Sequence, residues 1–428
     1  MAYSLELFVS VLEMNIDNRG KTPPLSPTGY PLIEVKHIQE DRLYPVFEYT
    51  KYVDQETWDT WFRAHLKPGD ILFSTVGSIA RSCMVPENPK FCVAQNVLGF
   101  RVNRAKADPR FLYYAINDSF FQQEVRGRTI ETVQKSIKVH DLKTCRIPLP
   151  PLAEQKAIAK ILGDLDDKIE LNRKMNTTFE AMARAIFQSW FVDFDPVRAK
   201  MDGSEPEGMD AETAALWPSE FEDSQHGHIP KGWRACTLGD VAKNVSITFD
   251  FKRTPDVVFI NTGDVLEGDF LHSNRSPYDG LPGQAKKSIR ADDILFSEIR
   301  PANKRYAYVD FDSCDYVVST KFMIIRGSKD IHPRLLYRIL TAKETLDEFQ
   351  VQAESRSGTF PQITFDSISH KPIVLPPVEI QAAFNGVVSS IDAQIKVNKQ
   401  LSFSLAILRD TLLPKLMSGE LGASSFHF

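Results

Sequence analysis

Hydrophobic and polar residues alternate along this chain in two registers. Short apolar runs such as Ile71-Leu72-Phe73-Ser74 and Tyr316-Val317-Val318-Ser319 sit among Gly and Pro turns and predict strands. Helix-like stretches follow at Pro109 to Phe121 and at Pro333 to Phe349. Two longer runs then place apolar residues every 3.5 positions, the spacing of a coiled coil. The first extends from Leu152 to about Phe191 with no Pro and a single Gly, Gly163. At 1.5 Å per residue it predicts a helix ~60 Å long. The second runs from Val378 to about Leu413, where Pro414 is expected to stop it. Each opens after Leu-Pro-Pro, proline being suited to a first helical turn.

The pattern occurs twice. Gly69-Asp70-Ile71-Leu72-Phe73-Ser74 returns as Asp292-Asp293-Ile294-Leu295-Phe296-Ser297, 223 residues later. Pro109-Arg110-Phe111-Leu112-Tyr113 returns as Pro333-Arg334-Leu335-Leu336-Tyr337 at 224, and Leu149-Pro150-Pro151 as Leu375-Pro376-Pro377 at 226. Gln155, Asp166, Ile169 and Asn172 then match Gln381, Asp392, Ile395 and Asn398 without a gap. The stripe Leu162, Leu165, Ile169, Asn172, Asn176, Phe179, Ala183, Ile186 and Trp190 maps onto Val388, Ile391, Ile395, Asn398, Ser402, Leu405, Arg409, Leu412 and Leu416. Only Arg409 breaks it. Matching stripes imply that the helices pack on each other, with Asn172 and Asn398 at one seam position, where a buried Asn fixes register. The fold class is α+β, with two pseudo-repeat mixed α/β domains separated by two long antiparallel helices forming a coiled coil. The expected divisions are residues 1–148, 149–193 (first helix), 194–232 (linker), 233–374 and 375–428 (second helix and tail).

Charge sharpens the division. The chain has 51 Lys+Arg and 56 Asp+Glu in 428 residues, a net charge of −5, which taken whole argues against a nucleic-acid partner. Residues 194–232, however, hold 3 basic and 9 acidic residues, and the rest of the chain stands at +1, with 19 basic residues in each mixed domain. The Pro, Gly and acidic residues of 194–232 read as a solvated interdomain linker. Binding to phosphates is thereby permitted. Five scattered cysteines without a C-x-x-C pair read as reduced thiols in a cytoplasmic protein. No membrane span, metal site or cofactor is expected.

These motifs resemble the DNA specificity (S) subunit of type I restriction-modification systems. The segments that carry the resemblance are Pro148-Leu149-Pro150-Pro151-Leu152-Ala153-Glu154-Gln155 and the weaker Leu375-Pro376-Pro377-Val378-Glu379-Ile380-Gln381. With them stand Asp193-Phe194-Asp195-Pro196-Val197-Arg198-Ala199-Lys200, Pro230-Lys231-Gly232-Trp233, Leu238-Gly239-Asp240-Val241 and the terminal Leu412-Leu413-Pro414-Lys415-Leu416-Met417-Ser418-Gly419-Glu420-Leu421. Gly20-Lys21-Thr22-Pro23 is similar to the family's Gly-x-Thr-Pro; the second copy keeps Thr254-Pro255. Gly358-Thr359 is similar to the family's Gly-Ser/Thr segment, where the first copy has Thr132-Val133. The resemblance implies two target recognition domains, each reading half of a split, asymmetric site in double-stranded DNA, with the helices as a spacer. It implies a subunit without an active site that binds two methyltransferase (M) subunits, and two restriction (R) subunits in the full complex.

Arg suits guanine, Asn and Gln adenine, and Lys, Ser or Thr phosphate. The candidates in the first domain are Arg19, Lys21, Thr22, Arg126, Arg128, Gln134 and Lys135. In the second they are Lys252, Arg253, Arg300, Lys304, Arg305, Arg356, Ser357, Thr359 and Gln362. Enzyme chemistry leaves little trace. The Pro-Pro pairs precede Leu25, Leu152 and Val378, unlike an Asn/Asp-Pro-Pro-Tyr/Phe methyltransferase motif, and no phosphate-binding Gly-x4-Gly-Lys loop occurs. Ile33-Glu34-Val35-Lys36, with Asp17 upstream, has the Asp…Glu-x-Lys pattern of a Mg²⁺ nuclease, although a buried strand fits it better. A single-chain nuclease using Glu34 and Lys36, or a coiled-coil protein adaptor, is the alternative reading.

Overall fold

The computed structural model describes residues 3–48, 50–130, 134–252, 254–356 and 358–423. It divides into two units, Met1–Met175 with Lys396–Phe428, and Asn176–Ile395. Both boundaries fall inside the long helices, which run Leu152–Phe191 and Val378–Ser418. Each unit is therefore a mixed domain built on a segment of each helix.

The two domains repeat one topology. In the first, an antiparallel sheet has the order Leu12–Ile16, Val97–Val102, Ile71–Ser74, Ser82–Met84. In the second the order is Ala242–Asn244, Phe322–Gly327, Ile294–Ser297, Tyr306–Tyr308. The twice-used Ile-Leu-Phe-Ser is the fully buried inner strand both times, as expected for an apolar run packed on both faces. A second sheet contains a parallel pair, Tyr30–Ile33 with Cys92–Val93 and Asp256–Ile260 with Tyr316–Ser319. Buried bidentate ion pairs recur too. Asp70 accepts from Arg101 at 2.7 and 3.1 Å, and Asp293 from Arg326 at 2.6 and 2.9 Å.

Each domain is tied to its helix by the same glutamine. Gln155 (1% exposed) accepts from the Asp108 amide at 2.9 Å and donates to the Pro150 and Lys106 carbonyls. Gln381 (2%) accepts from the His332 amide at 2.7 Å and donates to Pro376 and Asp330. The helix-like stretches are each two helices, Pro109–Asn117 with Ser119–Arg126, and Pro333–Thr341 with Lys343–Arg356. Asp108 caps the first of these, and its counterpart His332 caps the third through Nδ1, which accepts from the Arg334 amide.

That substitution makes stability depend on pH. Burial lowers the His332 pKa, with Arg334 acting in the same direction and Asp292 opposing it. A lowered folded pKa means stability complete above about pH 6.5 and lost as pH falls through the folded value. His332→Asn keeps an acceptor at the cap and does not titrate. Its melting temperature is expected to fall less between pH 7 and 5 than that of the unaltered chain; equal falls would refute the role of this histidine.

The helices run antiparallel within each unit. In the first, Asp166 faces Arg409 and Asn172 faces Ser402; in the second, Asn176 faces Ile395 and Phe191 faces Phe384. None of the stripe residues is exposed. Asn172 (1% exposed) donates to Ser402 Oγ at 3.1 Å and points at the Asn398 carbonyl at 3.5 Å, and Asn398 is 4% exposed. Arg409 does not break the seam. Its guanidinium pairs at 2.7 Å with Asp166, whose other oxygen accepts from Tyr114 at 2.6 Å. The counterpart Asp392 takes Arg334 and Arg338. Gly163, the sole glycine of the first helix, leaves room for Arg110: a Cβ there would lie 2.9 Å from the guanidinium, which pairs with Asp167.

Two expectations fail. Pro414 lies inside the second helix rather than ending it. Its lost hydrogen bond is offset by Leu416 (0% exposed) and Met417 (2%), which continue the helix into the first unit's core beside Phe111, Phe121 and Leu162. Residues 194–232 are not a bare linker either. They form helices Asp195–Met201 and Ala211–Ala215 and a hairpin of Phe221–Ser224 with Gly227–Pro230. Val197, Trp217 and Ile229 are buried in the second unit's core, Trp217 meeting Trp190 and Trp233 at 5.3 and 5.5 Å. All nine acidic residues of the stretch remain exposed. The solvated charge was legible, whereas the three widely spaced anchors were hidden by it.

Candidate nucleic-acid interface

At the end of each inner strand, three segments meet in the same way. In the first domain the Thr75 amide donates to the Asn96 carbonyl and the Ile137 amide to the Thr75 carbonyl. The Gly77 amide then donates to Lys135, and Val76 bridges Ser136. In the second, the Glu298 amide donates to Lys321, the Ile363 amide to Glu298 and the Arg300 amide to Pro361, while Ile299 bridges Gln362. The joints are equivalent bond for bond. Their exposed residues differ: Gly77, Ser78, Gln95, Asn96, Gln134 and Lys135 in one, Arg300, Lys321, Thr359 and Phe360 in the other. A fixed backbone presenting variable polar tips suits the reading of base edges.

The candidates divide accordingly. The joints bring Lys135, with Gln134 before it, to Gly77, and Gln362 to Ile299 beside Arg300, with Thr359 two residues before Arg300's partner Pro361. Arg300 is held at φ 43°, an uncommon backbone for a non-glycine residue. Arg19, Lys21 and Thr22 form a separate exposed turn, tied by Asp17 Oδ1 to the Arg19 amide and Asn18 Oδ1 to the Gly20 amide. Lys252 follows a similar turn at Asp250, and Arg126 and Arg356 stand exposed at helix ends. Arg128 is committed to Glu124 and Thr144, Arg305 to the Gly263 and Val265 carbonyls, and Lys304 pairs with Glu267. These three side chains already have partners within the fold. Arg253 and Ser357 lie outside the described residues.

Gln95, Asn96, Gly77 and Ser78 were not among the candidates. The repeat contained the signal, because the offset of 223 sets Gly77 opposite Arg300. Asn96, exposed at φ 73°, has the side chain suited to adenine.

The nuclease pattern does not assemble. The strand ends at Ile33, and Glu34 instead caps the turn Val35–His37. Burial opposes its charge, but Lys51 at 2.7 Å and Lys36 at 3.1 Å outweigh burial and hold the carboxyl below its usual range. Asp17 is occupied by the Arg19 turn. Among the described residues no group of three or more His, Cys, Asp or Glu could hold a metal ion. His226 donates from Nε2 to the Cys236 carbonyl, and His228 lies beside Asp223. Also among the described residues, no helix is long and apolar enough to cross a membrane.

The chain matches the family model for the type I restriction modification DNA specificity domain over residues 15–181 and 230–405. It is 48% identical over 181 residues to the type I restriction enzyme HindI specificity subunit of Haemophilus influenzae, a match spanning 42% of this chain and 39% of that protein's length. It is 25% identical over 320 residues to the MjaIX specificity subunit of Methanocaldococcus jannaschii, covering 73% of this chain and 68% of the relative. The crystal structure of a type I restriction-modification system S subunit from M. genitalium shares the fold, with a TM-score of 0.53, 16% identity and coverage of 97% and 96% of the two chains. Both copies of the repeat fall within the family match, and this chain belongs to the type I restriction-modification DNA specificity family.

Proposed function

We propose that this chain is the non-catalytic specificity subunit of a type I restriction-modification enzyme. Each recognition domain reads one half of a bipartite, asymmetric site in double-stranded DNA. Two methyltransferase subunits dock on it to modify adenines, and two restriction subunits complete the defence complex. The observation that carries this reading is the joint built twice on one backbone with different exposed side chains. The paired helices act as the spacer, since half-sites on one face of B-DNA lie ~34 Å apart. Outside residues 194–232 the net charge is only +1. The isolated chain therefore binds DNA weakly, and the methyltransferase supplies much of the phosphate contact.

The test is selection from random duplexes by the chain assembled with its methyltransferase. Enrichment of a two-part asymmetric motif is expected, with Arg300→Ala relaxing one half and leaving the other intact. Co-purification without any enriched motif would favour the protein adaptor instead.

A further inference from the structure

The two joints also differ in chemical type just before the bonded residues. The bond pattern that pairs Lys135 with Pro361 places Gln134 opposite Phe360. Gln134 is an exposed amide, able to bond a base edge. Phe360 is a benzyl group 54% exposed to water. Its backbone is anchored on the far side: Pro361 is buried, its carbonyl accepts from the Arg300 amide at 3.2 Å, Gln362 bridges Ile299, and Ile363 is 0% exposed. Gly358 and Thr359 before it are exposed, and Arg300 is an exposed cation beside it.

A large apolar ring more than half exposed on a braced backbone, with the exposed Arg300 on the adjoining segment, suits an intercalating wedge. Such side chains enter a base step and part the stack, and flanking Arg or Lys hold the backbone of the opened duplex. Bracing matters, because a backbone already fixed has less freedom to lose on insertion. A thymine methyl could be met by a far smaller group such as Ala or Thr. We propose that Phe360 is a specificity-determining wedge that unstacks one base step in the half-site read by the second domain. The first domain, with Gln134, reads its half without such distortion. The wedge thereby adds a preference for flexible pyrimidine–purine steps, read as deformation energy.

This rests on the DNA-reading function proposed above, and the experiment separates the two. The full chain, assembled with its methyltransferase, is bound to duplexes carrying the site found by selection, with 2-aminopurine placed at successive positions. A several-fold rise in fluorescence is expected at one step of the second domain's half-site and at none in the other. Phe360→Gln should retain binding and lose the rise; Phe360→Leu, still apolar, should keep part of it. Binding by the unaltered complex without any rise overturns the wedge and leaves the reading function standing. A rise that persists in Phe360→Gln also overturns it. Failure to select any site overturns the reading function and the wedge with it.

Discussion

Asp166→Ala is expected to destabilise the first unit by about 2–4 kcal/mol, since it strips the acceptor from a buried hydroxyl and half the compensation from a partly buried guanidinium. Asp166 is 3% exposed and serves two groups at once, the Arg409 guanidinium at 2.7 Å and the Tyr114 hydroxyl at 2.6 Å. Its removal leaves Arg409 with only the exposed Asp410 as a partner, and Tyr114, 2% exposed, without an acceptor. Adding Arg409→Leu should recover part of the loss, because a guanidinium facing the seam with Asp410 alone is poorly compensated there, whereas Leu restores the apolar stripe. Urea denaturation of the single and double variants measures both. A loss under 1 kcal/mol for Asp166→Ala, or no recovery in the double variant, would contradict a clamp between domain and helices.

That clamp shows where the sequence was legible. Asp166 and Asp392 stand out as a repeated pair, but their partners do not, because the position that is Tyr114 in one copy is Arg338 in the other. The substitution preserves a donor and conceals the equivalence. Arg409 looked like a flaw in an apolar stripe for the same reason: periodicity records which positions face inward, not which charges meet there. Local signals were legible. Ile71-Leu72-Phe73-Ser74 and Tyr316-Val317-Val318-Ser319 predicted strands, and the 3.5-residue stripe predicted two packed helices with Asn172 and Asn398 between them.

Non-local features were not legible. The sheet order sets Val97–Val102 between strands far from it in the chain, and nothing in a strand's composition names its neighbour. The joint was half seen, through Gln134, Lys135 and Arg300, because loops nominated singly do not reveal that Gly77 and Asn96 share the same backbone knot. Pro414 and residues 194–232 were misread where local propensity yielded to burial of Leu416, Met417 and Trp217.

Removing residues 169–175 together with 395–401 should abolish modification at the original site, with a drop of at least about 100-fold, each mismatched contact set costing more than a single ~1–3 kcal/mol base error. The two segments are equivalent copies of one heptad, and Asn172 faces Asn398 within them. Deleting seven residues shortens each helix by about 10 Å and nearly preserves the phase of its stripe. Recognition should move to sites whose half-sites lie roughly 3 base pairs closer. Deletion from one helix alone should instead disrupt folding, since the seam would lose its register. Undiminished modification of the original site by the doubly shortened chain would remove the spacer role.

The most direct measurement is a genome-wide map of methylated adenines in cells that express the methyltransferase with and without this chain. The expected result is one bipartite, asymmetric motif, methylated only when the chain is present, with Arg300→Ala loosening a single half. Methylation that is identical in both maps, or a chain-dependent motif with a single undivided half, would contradict a subunit that reads DNA with two domains.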